Sequence, residues 1–235
     1  MSVPPFMSGP SLVMLFIKAP VPGRVKTRLA AVLGNETTLE LYRSFCLDML
    51  ETIDASCREV VVFHDPPDAR EMVVRWLGKE RRCHPQQGAD LGERMENAFR
   101  SAFSSNASRA ILIGSDLPDL PSAVLAEALD ALERNDAVIG PALDGGYYLI
   151  GLRKAPFRPE VFRGIPWSTS VVFDQTMRIL ARSGYRVHLL PRWQDVDRID
   201  DLLELYERSR GTAFERSRTM PILRDICGRI QKDKL

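Results

Sequence analysis

The feature that most constrains the fold is a rhythm of short apolar runs alternating with amphipathic segments, from Leu12 to about Ser209. "LVMLFIKAP" (12–20) opens on six consecutive apolar residues and "AILIGSD" (110–116) on four, the pattern of strands covered on both faces. "EVVVFHD", "DAVIGPA", "GYYLIGL" and "YRVHLLP" read as further strands. Between them, Leu39, Tyr42, Phe45, Cys46, Met49, Leu50 and Ile53 recur at helical spacing with charges opposite. Helical patterning returns over 68–77, 91–104, 121–134, 168–182 and in "RIDDLLELYERS" (198–209). A strand–helix alternation of this kind implies a three-layer α/β/α sandwich with a mainly parallel sheet. "DAVIGPA" and "GYYLIGL" lie too close for a crossover helix, so that pair is expected to run antiparallel and make the sheet mixed.

The 235 residues suit one domain (1–235), with its core over about 12–208 and a looser helical C-terminal extension over about 211–235. A net charge of +1 argues against a general grip on nucleic acid or membrane, so an anionic partner must be met locally. No apolar run reaches the roughly 18 residues of a membrane helix. The opening "MSVPPFMSGP" lacks the pattern of a signal peptide, and a cytoplasmic location is expected. Cys46, Cys57, Cys83 and Cys227 show no CxxC pair and read as buried, reduced thiols. The oligomeric state is open.

In open α/β sheets ligands bind where strands end and the chain turns into helices. The first such end, "KAPVPGRVKTRLA", sets Gly23 among Lys18, Arg24, Lys26 and Arg28, which favours phosphate binding over a solvated basic loop, although the Walker spacing is missing. The second, "QQGADLGERM", offers Gln87, whose amide can read a base edge, beside Gly88 and Gly92; a plain turn before a helix fits equally well. The third, "ILIGSDLPDL", delivers Asp116 to the carboxyl edge of a central strand, suited to a hard divalent cation. Asp119, close before Pro121, reads as a helix-start residue.

The fourth, "PALDGGYYLIG", is a turn that sets Asp144 and Tyr147 around Gly145 and Gly146, either as a hairpin connection or as a place where a ligand approaches backbone. In the fifth, "WQDVDRIDDL", Asp195 and Asp197 follow a strand, while Asp200 and Asp201 look like first-turn acids. "WST" (167–169) opens a helix, with Ser168 or Thr169 expected as its cap and Trp167 on a ligand or in the core. His64, His84 and His188 share no metal-like spacing, and GxSxG, HExxH and GxGxxG are absent, which weakens hydrolase, zincin and dinucleotide readings.

These segments, in this order, resemble the nucleotide-diphospho-sugar transferase superfamily, the GT-A fold. More closely they resemble a bacterial family of proposed glycosyltransferases within it, some members of which are associated with arsenosugar biosynthesis. The resemblance implies a nucleotide bound by the amino half of the sheet and a small-molecule acceptor by the other half. It matches Asp116 to the family's metal-binding aspartate, in a Ser-Asp-Leu-Pro setting that holds one acid where relatives carry Asp-x-Asp; Asp197 is the candidate for the second ligand of Mg²⁺ or Mn²⁺. It assigns Ala19, Pro22, Gly23, Lys26, Arg28, Gln87, Gly88, Leu91, Gly92 and Ser115 to the nucleotide, and Gly145, Gly146, Tyr147, Trp167, Ser168 and Thr169 to the acceptor.

Asp116 and Asp144 are the candidate catalytic acids, the latter as acceptor base. The expected activity is metal-dependent glycosyl transfer from a nucleotide sugar. The alternatives are nucleotidyl transfer from a nucleoside triphosphate to a phosphorylated acceptor, and a non-catalytic nucleotide-binding protein.

Overall fold

A computed structural model describes residues 9–56 and 59–232; the leader reading at 1–8 and Cys57 lie outside them. Seven strands form one mixed sheet in the order β3–β2–β1–β4–β6–β5–β7. These are β1 (Ser11–Lys18), β2 (Val60–Asp65), β3 (Cys83–Pro85), β4 (Arg109–Gly114), β5 (Ala137–Pro141), β6 (Tyr147–Arg153) and β7 (Val187–Leu189). β6 runs antiparallel to both β4 and β5, as its closeness in sequence to β5 demands; the other pairings are parallel.

The unbroken apolar runs are explained by two-sided burial. Along β1, Val13, Leu15 and Ile17 face one core; Leu12, Met14 and Phe16 face another. The first core is closed by α2 (Asn35–Ser56), α3 (Arg70–Leu77) and α5 (Ser122–Ala131). The second is closed by α4 (Leu91–Ser104) and α6 (Val172–Arg182), with Phe99 stacked on Phe162 at 5.5 Å between ring centres. A third cluster joins the outer face of α2 to α1 (Thr27–Leu33), α7 (Ile199–Ser209) and α8 (Thr219–Lys232). Here Asp48 of α2, nearly fully buried, accepts from Arg218 N, Thr219 N and Thr219 Oγ1, so a single carboxylate caps and anchors α8. Cys46, Cys83 and Cys227 are free and buried, and burial pushes the Cys46 thiol up to about 12.

Two helix starts differ from expectation. α6 begins at Val172, not at 168: Thr169 Oγ1 donates to Pro166 O at 2.7 Å and Ser168 takes φ +65°, so neither caps the helix. Asp119 does not cap α5 either; Pro121 holds the cap position without a side-chain bond. Asp119 is instead drawn away by Arg208 of α7, which donates Nε to Oδ2 at 2.7 Å and Nη2 to Oδ1 at 3.2 Å, while Trp193 Nε1 donates to Oδ1 at 3.2 Å. A bidentate guanidinium outcompetes a helix amide for a carboxylate. Among the described residues no helix is long and apolar enough to cross a membrane.

Candidate active site

A cleft of about 640 Å³ opens across the carboxyl ends of β1, β2 and β4 and the start of β6. Its centre is the turn after β1. Ala19 N is fixed to Asp65 O, Arg24 N to Val21 O, and Gly23 takes φ +72°, so the chain curls back on itself. Lys26 then adopts φ 45°, ψ 50° at the head of α1, a left-handed conformation uncommon for lysine that turns its side chain inward. Only 4% of that side chain is exposed, and its Nζ lies 3.0 Å from Asp116 Oδ1 and 3.7 Å from Asp197 Oδ1. Arg28 Nη1 donates to Asp197 Oδ2 at 2.6 Å from outside the cleft lining.

Asp116 and Asp197 come from segments far apart in sequence, and one backbone bond unites them: Val196 N donates to Asp116 O at 3.0 Å. The loop bearing Asp197 is held from its other side by Asp201, whose Oδ2 accepts from Asp197 N (2.9 Å) and Arg198 N (2.7 Å). Gln194 ties Asp201 to Arg208, and Arg208 grips Asp119. The two aspartates of "SDLPDL" therefore divide the work: Asp116 faces the cleft, and Asp119 staples its loop to α7.

At the far end, Asp144 Oδ1 accepts from Gly146 N at 2.8 Å, and Phe173 N donates to Gly145 O, docking this turn on the head of α6. Gly145 has φ +91°, and the space for a Cβ is already filled by Ser170 O, so only glycine fits. Trp167 packs edge-on to Tyr147 at 6.4 Å between ring centres. The indole lies so close over Gly92 that a Cβ there would stand 2.6 Å from Nε1. Asp195, half-buried between these groups, has its carboxyl pushed above the usual range by burial first and then by the Asp144 charge, with Lys26 pulling the other way.

Of the residues singled out from sequence, Lys26, Leu91, Ser115, Asp116, Asp144, Gly146, Tyr147, Trp167, Ser168, Thr169 and Asp197 line the cleft. Ala19, Pro22, Gly23, Arg28, Gln87, Gly88, Gly92 and Gly145 do not; most of them shape the turns and helix starts around it. Gln87 contributes only its carbonyl, to Asn97 Nδ2 at 2.9 Å, because the strand direction turns its neighbour inward. That neighbour, Gln86, is buried and donates Nε2 to Ile17 O and Phe63 O, extending the sheet between β1 and β2.

Sequence reasoning passed over Asp65, Arg94 and Tyr42, which also line the cleft. Asp65 ends β2 as Asp116 follows β4, so the same signal of an acid closing a buried strand was available for it; Arg94 Nη1 pairs with it at 3.2 Å. Tyr42 accepts from Lys18 N at 2.7 Å and donates to Lys18 O at 3.1 Å, a role that no local pattern reveals.

Hard carboxylate oxygens on Asp116 and Asp197, 42% and 36% exposed, suit Mg²⁺ or Mn²⁺. Among the described residues no three His, Cys, Asp or Glu are grouped to hold a metal ion.

Fold and cleft together define a transferase of the nucleotide-diphospho-sugar transferase fold. The chain superposes with a TM-score of 0.91 on a proposed nucleotide-diphospho-sugar transferase from Desulfovibrio desulfuricans G20, 42% identical, over 94% of this chain and 97% of that one. It belongs to the family of uncharacterized proteins conserved in bacteria, DUF2064, whose model matches residues 49–169. It is also 26% identical over 224 residues to a 2-phospho-L-lactate guanylyltransferase of Methanocella arvoryzae, covering 92% of this chain and 91% of that protein. At 11% identity and a TM-score of 0.55, a 4-diphosphocytidyl-2C-methyl-D-erythritol synthase from Anaerococcus prevotii shares the fold alone, over 83% of this chain and 94% of that one.

Proposed function

We propose that the protein is a nucleotidyltransferase, in which an acceptor oxygen attacks the α-phosphorus of a nucleoside triphosphate and pyrophosphate leaves. The observation that carries this reading is the end-to-end similarity to a guanylyltransferase, across nine-tenths of both chains, in a molecule whose cleft centres on a buried lysine between two aspartates. The order of preference drawn from sequence, glycosyl transfer first, is thereby reversed.

In this reading the whole chain acts as one transferase domain. Lys26 and Ser115 hold the phosphates, and Arg28 steadies Asp197 from outside the cleft lining; Leu91 packs on the nucleoside; Asp116 and Asp197 would hold a divalent cation. That cation, when bound, neutralises charge developing on the leaving pyrophosphate. Lys26 adds a second positive charge in a water-poor setting, where it acts more strongly than it would in solvent. Asp144 faces the acceptor oxygen and takes its proton, and Tyr147, Trp167, Ser168 and Thr169 orient the acceptor.

The full-length protein, given each of the four nucleoside triphosphates with Mg²⁺ and a mixed acceptor pool, is expected to release pyrophosphate with one base preferred. Release of a nucleoside diphosphate from a nucleotide sugar, with no pyrophosphate from any triphosphate, would falsify the reading in favour of sugar transfer.

A further inference from the structure

The charges lining the cleft are not evenly spread. The cations are Lys18, Lys26 and Arg94 among the described lining residues, and all lie on the side of β1, β2 and α4. Two of them are already committed, Arg94 to Asp65 and Lys26 to Asp116 and Asp197. The Lys26 ammonium is more than nine-tenths buried, makes no well-directed hydrogen bond and lines the cleft, where the nucleotidyl-transfer reading puts the reacting phosphates. Beyond it, toward β6 and the head of α6, the described lining holds two further carboxylates, Asp144 and Asp195, and no Lys or Arg.

The same end carries the Trp167–Tyr147 pair and the hydroxyls of Ser168 and Thr169. Trp167 is half-exposed and fixed in place against Gly92, so it presents a rigid apolar face. Asp144 spends Oδ1 on Gly146 N, and Oδ2 has no such bond to it.

From this arrangement we infer that the acceptor is an unphosphorylated polyhydroxyl compound, a neutral polyol or sugar, not a phosphate ester. Ionised carboxylates are acceptors only and pair with hydroxyl donors, whereas a phosphate dianion beside them meets like charge and is repelled. An aromatic face covers the apolar side of a ring or polyol chain. The inference rests on the nucleotidyl-transfer reading and departs from the phosphorylated compound in the name of the Methanocella relative. The acceptor hydroxyl oxygen forms the new bond to the α-phosphorus, the α-phosphorus–oxygen bond to the β-phosphate breaks, pyrophosphate carries off that electron pair, and the hydroxyl proton passes to Asp144.

The test uses matched pairs with the full chain: glycerol and glycerol 3-phosphate, glucose and glucose 1-phosphate, myo-inositol and its 1-phosphate. Pyrophosphate release from triphosphate and Mg²⁺ should favour the unphosphorylated member of the productive pair by at least roughly tenfold in kcat/KM. Asp195→Lys should narrow or invert that preference. Faster release with the phosphorylated member overturns the inference and leaves nucleotidyl transfer standing. If no triphosphate yields pyrophosphate, the nucleotidyl reading fails on its own. The acceptor class is then decided by saturation-transfer NMR of the same pairs at millimolar concentration. Binding of the neutral member, weakened in Asp144→Asn, upholds it; binding of the phosphate ester alone, or of neither member, overturns it.

Discussion

The two ends of the cleft are built in different ways. The end proposed for the nucleotide is made from the parallel strands β1, β2 and β4, whose registers are fixed along their length and whose carboxyl ends line the cleft directly. The end proposed for the acceptor is made largely from three loops, at 142–146, 166–171 and 193–197, held by scattered contacts such as Phe173 N to Gly145 O, Val196 N to Asp116 O and Asp197 N to Asp201 Oδ2. A strand end is fixed by the whole sheet, whereas a loop is fixed by a few contacts that can be lost one at a time. Among the described lining residues, Lys18, Lys26 and Arg94 stand on the sheet-built side, while the loop-built side holds Asp144, Asp195 and Asp197, the last engaged by Lys26 and Arg28. Damage to the two ends should therefore look different.

The largest effect is expected at their junction. Asp116→Asn should lower turnover about a thousandfold, some 4 kcal/mol in the barrier, while leaving the melting temperature within a degree or two of wild type. Steady-state rates and thermal melts check this together; a large loss of stability with metal dependence intact would return Asp116 to a structural role.

Next, Asp119→Ala removes the acceptor of Arg208, in a pair with 7% and 29% side-chain exposure. Leaving the guanidinium unmatched should cost about 3 kcal/mol of stability, read from urea unfolding, and loosen the 193–197 loop. That loop carries both Asp195 and Asp197, so acceptor KM should rise and the Mg²⁺ concentration needed for triphosphate binding should rise with it; unchanged values for both would show that the Asp119–Arg208 pair does not hold the loop.

Gly92→Ala should act more mildly and on the acceptor end only. The new methyl must push Trp167 or Phe162 O aside, an overpacking cost of about 1–3 kcal/mol. Indole fluorescence should change and acceptor KM rise, with triphosphate binding by calorimetry unchanged. The smallest effect belongs to Gln87→Ala, which should alter triphosphate affinity less than about twofold, since its side chain lies outside the cleft. A tenfold loss there would restore Gln87 as a base reader.

The same contrast explains what could be read in the sequence. Strand periodicity, the cationic turn after β1 and the acid after β4 are local patterns, so the sheet and Asp116 were visible without a structure. Antiparallel β6 followed from the short link to β5. The bidentate pull of Arg208 on Asp119 was not visible, because one partner lies in the loop after β4 and the other on α7, and nothing at either position announces the other. Helix-cap rules gave the wrong role for Asp119 because tertiary partners outbid a local one, and for Ser168 and Thr169 because the chain turns tightly before α6, with Ser168 at φ +65° and Thr169 Oγ1 bonded back to Pro166 O. Parity separates the two glutamines: successive residues leaving a strand point to opposite sides, so Gln86 lines the cleft and Gln87 lies outside its lining.

The most direct test of the account is ³¹P NMR of the full-length protein with Mg²⁺, the preferred triphosphate and an acceptor. Growth of pyrophosphate together with a new ester resonance on the α-phosphorus, both lost in Asp116→Asn and Lys26→Ala, is the predicted result. Triphosphate left intact while a nucleotide sugar is converted to nucleoside diphosphate would contradict it.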